Sequence, residues 1–162
     1  MPGELSHNER AAAALLRGAR WFALATVDPQ DEPATSYVPF APVGGAFGIV
    51  VSALAAHAAH LEARPAVSLL AVGEEPAYGD PFARARIAID AHAQETPRGS
   101  AEADAIWDAL AARLGATAAL LRTLPDFRAI LLVPRRARLV LGFAAASDLD
   151  AAALERILRA EP

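Results

Sequence analysis

The segment from Ala34 to Leu70, ATSYVPFAPVGGAFGIVVSALAAHAAHLEARPAVSLL, constrains the fold of this chain more than any other. Two β-rich runs flank Gly44-Gly45, and the glycines lack the G-x-G-x-x-G spacing of a dinucleotide loop. They therefore read as a hairpin turn. Ser52 closes the apolar run Phe47 to Val51 and stands where a helix N-cap belongs. The helix is expected over Ala53 to Ala63, ended by Pro65. Free N–H groups at such a helix start suit a phosphate or another anion, and His57 lies just over one turn in. Ala66 to Val72 then resumes as a strand. The pattern predicts a β-hairpin that delivers a Ser-capped helix to an anionic ligand.

The flanking sequence extends this frame. Ser6-His7-Asn8-Glu9 is a capping box, predicting a helix to about Arg17 that stops at Gly18. Trp21 to Val27 reads as a strand, and Asp28 to Pro33 has turn composition. Gly73 to Pro81, with Pro76 and Gly79, reads as a loop. From Arg84 to Glu95, Arg84, Arg86, Ala88, Asp90 and His92 alternate with Ala85, Ile87, Ile89, Ala91 and Ala93, which predicts a strand with one wet face. Ser100 should cap a helix to Leu114 with Gly115 beyond it, and a second helical piece runs to Thr123. Phe127 to Val133 and Ala137 to Phe143 read as two strands around a turn at Pro134-Arg135-Arg136. Ser147 and Asp150 form a second capping box for a helix to about Ala160. Hairpin connections without repeated βαβ units favour an antiparallel barrel with appended helices, and no repeat or linker divides residues 1–162.

Composition removes several function classes. At 162 residues and 54% hydrophobic, the chain can bury a core as one domain. The formal net charge of −4 offers no basic footprint for nucleic acid. No run is long and apolar enough to span a bilayer, and MPGELSHNER lacks a signal-peptide pattern, so a cytoplasmic location is expected. With no cysteine, thiolate catalysis and cysteine-ligated zinc are excluded. All fifteen basic residues are arginine, which removes Schiff-base and P-loop lysines. His57 and His60 share a helix but have no evident third ligand, so a metal site is not expected. Of the arginines, Arg86 is the candidate to reach a cofactor. Arg135, Arg136 and Arg138 read as solvent-facing.

Several short motifs fall in a recognisable order: Phe22-Ala23-Leu24-Ala25-Thr26, Pro33-x-x-Ser36-x-x-Pro39-Phe40 and Ser52-x-Leu54-Ala55-x-His57. Pro65-x-x-Ser68-Leu69-Leu70, Gly79-Asp80-Pro81 with Arg84-x-Arg86, Leu124-Pro125-Asp126-Phe127 and Gly142-Phe143 follow. Over about Leu15 to Phe143 the chain resembles the pyridoxamine 5′-phosphate oxidase-related FMN-binding split-barrel superfamily, nearest to its heme-utilisation (HugZ-like) branch. The resemblance implies a six-stranded antiparallel split barrel and a homodimer with FMN at the subunit interface. It places Ser36, Val38, Pro39 and Phe40 along the flavin ring and ribityl chain, and Val51 and Ser52 beside the ring and phosphate. His57 would take a phosphate position, Arg86 would reach the flavin from a neighbouring strand, and Gly142 and Phe143 would help close the site.

True pyridoxamine phosphate oxidases carry basic residues at the positions of Ser36, Ala56 and His57. Only His57 is basic here, which argues against vitamin B6 chemistry. The expected function is that of an FMN-dependent oxidoreductase acting on a small substrate. The alternatives are a non-catalytic binding or regulatory module and a heme-binding relative. No catalytic acid or base identifies itself in the sequence.

Overall fold

Among the described residues every strand pairs antiparallel with its neighbours, and the strands form one strongly curled sheet. The structure is a computed structural model that describes residues 4–75 and 79–160. The Pro76 position in the expected loop lies outside the described residues. The elements run α1 (His7–Gly18), β1 (Trp21–Val27), β2 (Pro33–Pro39), β3 (Ala41–Val43), β4 (Ala46–Ser52), α2 (Ala56–Ala63) and β5 (Ala66–Val72). A short 3-10 turn (Pro81–Ala83) precedes β6 (Arg86–Glu95), α3 (Ala101–Leu114), α4 (Ala116–Arg122), β7 (Phe127–Val140), β8 (Ala146–Asp150) and α5 (Ala151–Arg159). The sheet order is β2-β1-β5-β6-β7-β4-β3, with β8 also on β7. This is the expected antiparallel split barrel with helices, carrying eight strands rather than six.

Alternation of side chains decides what the curl encloses. Phe22, Leu24 and Thr26 of β1 point inward with Ile87, Ile89 and Ala91 of β6. Phe22 stacks on Phe40 at 3.8 Å between ring centroids, and Phe47 meets both edge-on. Helices α1 and α5 close one side of this core with Ala12, Leu16, Leu154 and Ile157. A second core lies on the outer side of β3, β4 and β7, where α3 and α4 supply Ile106, Trp107, Leu110 and Ala118. Gly48 permits that contact: a Cβ there would come within 2.8 Å of Ile106 Cγ2. Arg113 of α3 ties the two halves together. Its Nη2 donates to the carbonyls of Leu16 and Arg17, both at 3.0 Å, and of Ala19, and its guanidinium lies over the Phe40 ring.

The expected elements mostly form where the sequence places them. The Ser6–Glu9 capping box is present, and Gly44 and Gly45, both with positive φ, make the two-residue β3–β4 turn. Four local expectations are corrected. Helix α2 begins at Ala56 with Ala55, whose methyl cannot cap, at the N-cap position, and the Ser52 hydroxyl is engaged by Asp126 instead. Arg84 lies ahead of β6, at the end of the 3-10 turn, and donates to the Gly73 carbonyl. Pro134-Arg135-Arg136 is no turn but a bulge within the single strand β7: Asp90 pairs with Arg136 and Ala91 with Pro134, leaving Arg135 as the extra residue. Proline is tolerated there because a bulge interrupts the ladder that its missing N–H would serve. Ser147 lies in β8 opposite Leu139, so Asp150 alone caps α5. Among the described residues, no helix is long and apolar enough to cross a membrane.

Candidate functional site

Helix α2, the element expected to meet an anion, lies against β1 and β4 at one end of the barrel. Thr26 is an inward-facing polar residue in an otherwise apolar row, and it is buried. Its Oγ1 lies 2.9 Å from His60 Nδ1, which seats α2 over the barrel end. Ala34 pairs with Thr26, and Ser36 lies two residues further along β2 on the same inward face. The Ser36 hydroxyl is buried and has no hydrogen-bond partner. A buried hydroxyl without a partner is costly, so an orphan of this kind marks a place for a ligand or a water.

His57 is the second residue of α2, not a full turn in. Partial burial pushes its imidazole below the ordinary value, and the neighbouring His60 adds to the effect. Ser52 does not face an anion as a cap. Its hydroxyl donates to Asp126 Oδ2 at 2.8 Å and accepts from the Leu54 amide at 3.2 Å. That clamp fixes the turn leading to α2 and leaves the first amides of the helix uncapped.

The remaining predicted residues fall in three places. Val38, Phe40 and Val51 are buried in the barrel core, so a ligand could meet only their backbone. Pro39 faces outward at the far end of β2. Arg86, Gly142 and Phe143 stand at the opposite end of the sheet from α2. Arg86 pairs with Val72, and Ala66, where β5 leaves α2, is six residues back along that strand. At about 3.3 Å per residue the separation is about 20 Å. Arg86 Nη1 donates to the Arg84 carbonyl, and Phe143 is exposed. The chain thus sets Ser36 at the middle of β2 opposite Leu24, His57 at the start of α2, and Arg86, Gly142 and Phe143 at the end of the sheet away from α2.

The cations nearest α2 are already engaged. Arg64 pairs with Asp31, and Arg128 bridges Glu62 and Glu95. The donors at this barrel end are thus a hydroxyl, helix amides and an imidazole, which match a phosphate in kind and are weak in charge. Among the described residues, no group of three metal-ligating side chains is assembled. The sequence reading missed the Thr26–His60 pair. Its signal was a threonine in register with the inward Phe22 and Leu24.

The pyridoxamine 5′-phosphate oxidase family model matches residues 9–141. The chain belongs to that family. Among its relatives, the heme oxygenase HutZ of Vibrio cholerae is 34% identical over 120 residues, spanning 74% of this chain and 68% of HutZ. The crystal structure of HutZ, described as a heme storage protein, superposes with a TM-score of 0.71 at 30% identity, covering 82% of this chain and 92% of that one. A heme binding protein from Mycobacterium smegmatis superposes with a TM-score of 0.84 at 25% identity over 94% of this chain. The chain spans only 62% of that protein's length. Campylobacter jejuni ChuZ, at 22% identity and a TM-score of 0.82, shares the fold, and this chain covers 61% of it.

Proposed function

We propose that the protein is an FMN-binding flavoprotein that acts as a homodimeric oxidoreductase on a small substrate in the cytoplasm. The observation that carries this reading is the orphaned, buried Ser36 hydroxyl on the inward face of β2, two residues along from Ala34, which pairs with the Thr26 that seats α2. Ser36, the α2 amides and His57 would hold the phosphate. When bound, FMN supplies the ring that accepts and returns electrons, while the protein contributes orientation and electrostatics.

The outer face of the sheet supports the dimer. In register across β2, β1, β5 and β6 lie Tyr37, Ala23, Leu70 and Ala88, with Trp21 and Val72 beside them. Tyr37, Trp21, Leu70 and Val72 are exposed, and a patch of this kind on a sheet face suits burial against a second copy. In such an assembly Arg86, Gly142 and Phe143 would approach the cofactor of the other copy.

A second reading, heme binding, is favoured by the match to HutZ. The absorbance spectrum of the protein as isolated, followed by titration with FMN and with heme, tests both. Flavin bands or saturable FMN binding, weakened in Ser36→Ala and in Arg86→Ala but not in Arg135→Ala, are expected. A Soret band on heme titration without FMN binding would replace the first reading with the second.

A further inference from the structure

The turn that carries Asp126 does more than connect α4 to β7. The β4–β7 ladder ends where Ser52 pairs with Phe127, and Asp126 reaches past that end. Its carbonyl accepts from the Ala53 amide at 2.8 Å, and its Oδ2 accepts from the Ser52 hydroxyl at 2.8 Å. Ser52 passes this hold along the chain. Its hydroxyl accepts from the Leu54 amide at 3.2 Å, and its carbonyl accepts from the Ala55 amide at 3.0 Å. The amides of Ala53, Leu54 and Ala55 are therefore spent before α2 begins, whereas those of Ala56 and His57 have no partner among the described residues. Because Ala55 cannot cap, the start of α2 is placed from β7 and not by a side chain of its own first turn.

The turn is itself held from behind. Arg98, between β6 and α3, donates through Nη1 to the carbonyls of Leu124 at 3.1 Å, Pro125 at 3.4 Å and Phe127 at 3.5 Å. Its Nη2 donates to the Arg122 carbonyl at 3.2 Å. Fixed groups thus run from Arg98 through the turn and Asp126 to Ser52. Among the described residues the Asp126 carboxylate makes no ion pair. A negative charge so close to an anion site opposes the anion, so its presence calls for a gain of another kind.

We infer that Asp126 is a positioning residue for the phosphate of FMN: it holds Ser52 and so presents the free amides of Ala56 and His57 to the ligand. The inference rests on the flavin reading above and adds to it a residue that does not touch the cofactor. It also alters the part taken by Ser52, whose hydroxyl proton is committed to Asp126 and is not offered to the phosphate.

FMN and riboflavin share the ring and ribityl chain and differ only by the phosphate, so together they separate positioning from general damage. Flavin fluorescence on the full chain reads both affinities, with circular dichroism to follow the fold. Asp126→Ala should weaken FMN about tenfold, the scale of one charge-assisted hydrogen bond, and leave riboflavin unchanged. Asp126→Asn keeps an oxygen for the Ser52 hydroxyl and should hold FMN within about twofold of the parent. Ser52→Ala should weaken FMN as well, and the double alanine variant should be no weaker than Ser52→Ala alone, since both changes break one link. The inference is overturned if Asp126→Ala weakens the two flavins alike, or if Asp126→Asn loses as much as Asp126→Ala. Tighter FMN binding in Asp126→Ala would also end it, by showing that the carboxylate competes with the phosphate for Ser52. Where riboflavin binds too weakly to read, the contrast between Ala and Asn decides. A parent that binds no FMN ends the flavin reading and this inference with it; a parent that binds FMN as tightly as Asp126→Ala does ends this inference alone.

Discussion

Glu9 and Arg156 join the first helix to the last: Arg156 Nε lies 3.1 Å from Glu9 Oε1, and Nη2 donates to the same oxygen. Glu9 is only 6% exposed, and its other oxygen accepts from the Ser6 amide at 2.7 Å. The Ser6 amide first, and Arg156 with it, holds this carboxyl below the usual carboxylate range. A depressed carboxylate contributes stability that is present above its unfolded value and is lost as pH falls through the folded one.

Glu9→Gln is therefore expected to destabilise the protein by about 2 kcal/mol near neutral pH, since a hydrogen-bonded buried charge is replaced by a neutral group. The gap from the parent should narrow below about pH 4.5, where the unfolded carboxyl takes up a proton. Denaturant midpoints at several pH values check this. A gap independent of pH would show that Glu9 acts through packing alone.

Gly48→Ala should cost about 1–3 kcal/mol, the usual penalty for an extra methyl in a packed core. The new Cβ would meet Ile106 Cγ2 at 2.8 Å and Val43 Cγ2 at 3.2 Å, both on β-branched side chains with little rotamer freedom to yield. Combining it with Ile106→Ala should cost less than the sum of the two single changes, because the second removes the atoms in collision. Additive losses in a thermal-melt cycle would count against this contact.

FMN affinity should be nearly flat from about pH 8 to about pH 7 and rise below that, because protonated His57 adds charge to a phosphate site otherwise made of neutral donors. Burial and His60 set its titration below the ordinary imidazole value in the free protein, which keeps it neutral near pH 7. A bound phosphate raises that value, so binding and proton uptake favour each other. His57→Gln should abolish the rise. Fluorescence titration of FMN across the range reads both, and an unchanged profile in the variant would leave His57 outside the site.

Leu70→Asp places a charge at the centre of the uncovered sheet face, opposite Ala23 and Ala88. Its side chain is partly exposed already, so the fold should persist while a dimer through this face comes apart. Sedimentation of parent and variant at micromolar concentration reports the outcome. A parent that is itself monomeric would remove the proposed assembly.

Much of the fold was legible because it is written in local contacts. The capping box at Ser6, the alternation from Ile87 to Ala93 and the glycine pair at the β3–β4 turn need no distant partner to be recognised. The misreadings share a cause in the opposite direction. Ser52 has the chemistry of a helix cap, but Asp126, 74 residues away, takes its hydroxyl. Pro134-Arg135-Arg136 has the composition of a turn, yet β6 runs past it and absorbs the extra residue as a bulge. Ser147 is held as strand by Leu139. For the candidate site, the motif order singled out Ser36, whose buried hydroxyl has no partner, and His57 at the start of α2. It did not reveal that strand parity turns Val38, Phe40 and Val51 inward, nor that Arg86 sits at the other end of β5 and β6.

The bulge at Arg135 divides one long strand between two clients. Before it, Phe127 to Leu132 ladder onto β4 under the α3–α4 layer; beyond it, Arg136 to Val140 ladder onto β8, which leads directly into α5. Between them, Val133 and Pro134 pair on one side only and Arg135 on neither. The seam that keeps the barrel split is thus also a mechanical joint. The α3–α4 layer and the helices that plug the barrel hang on separate segments of the same strand, with a break in the ladder between them.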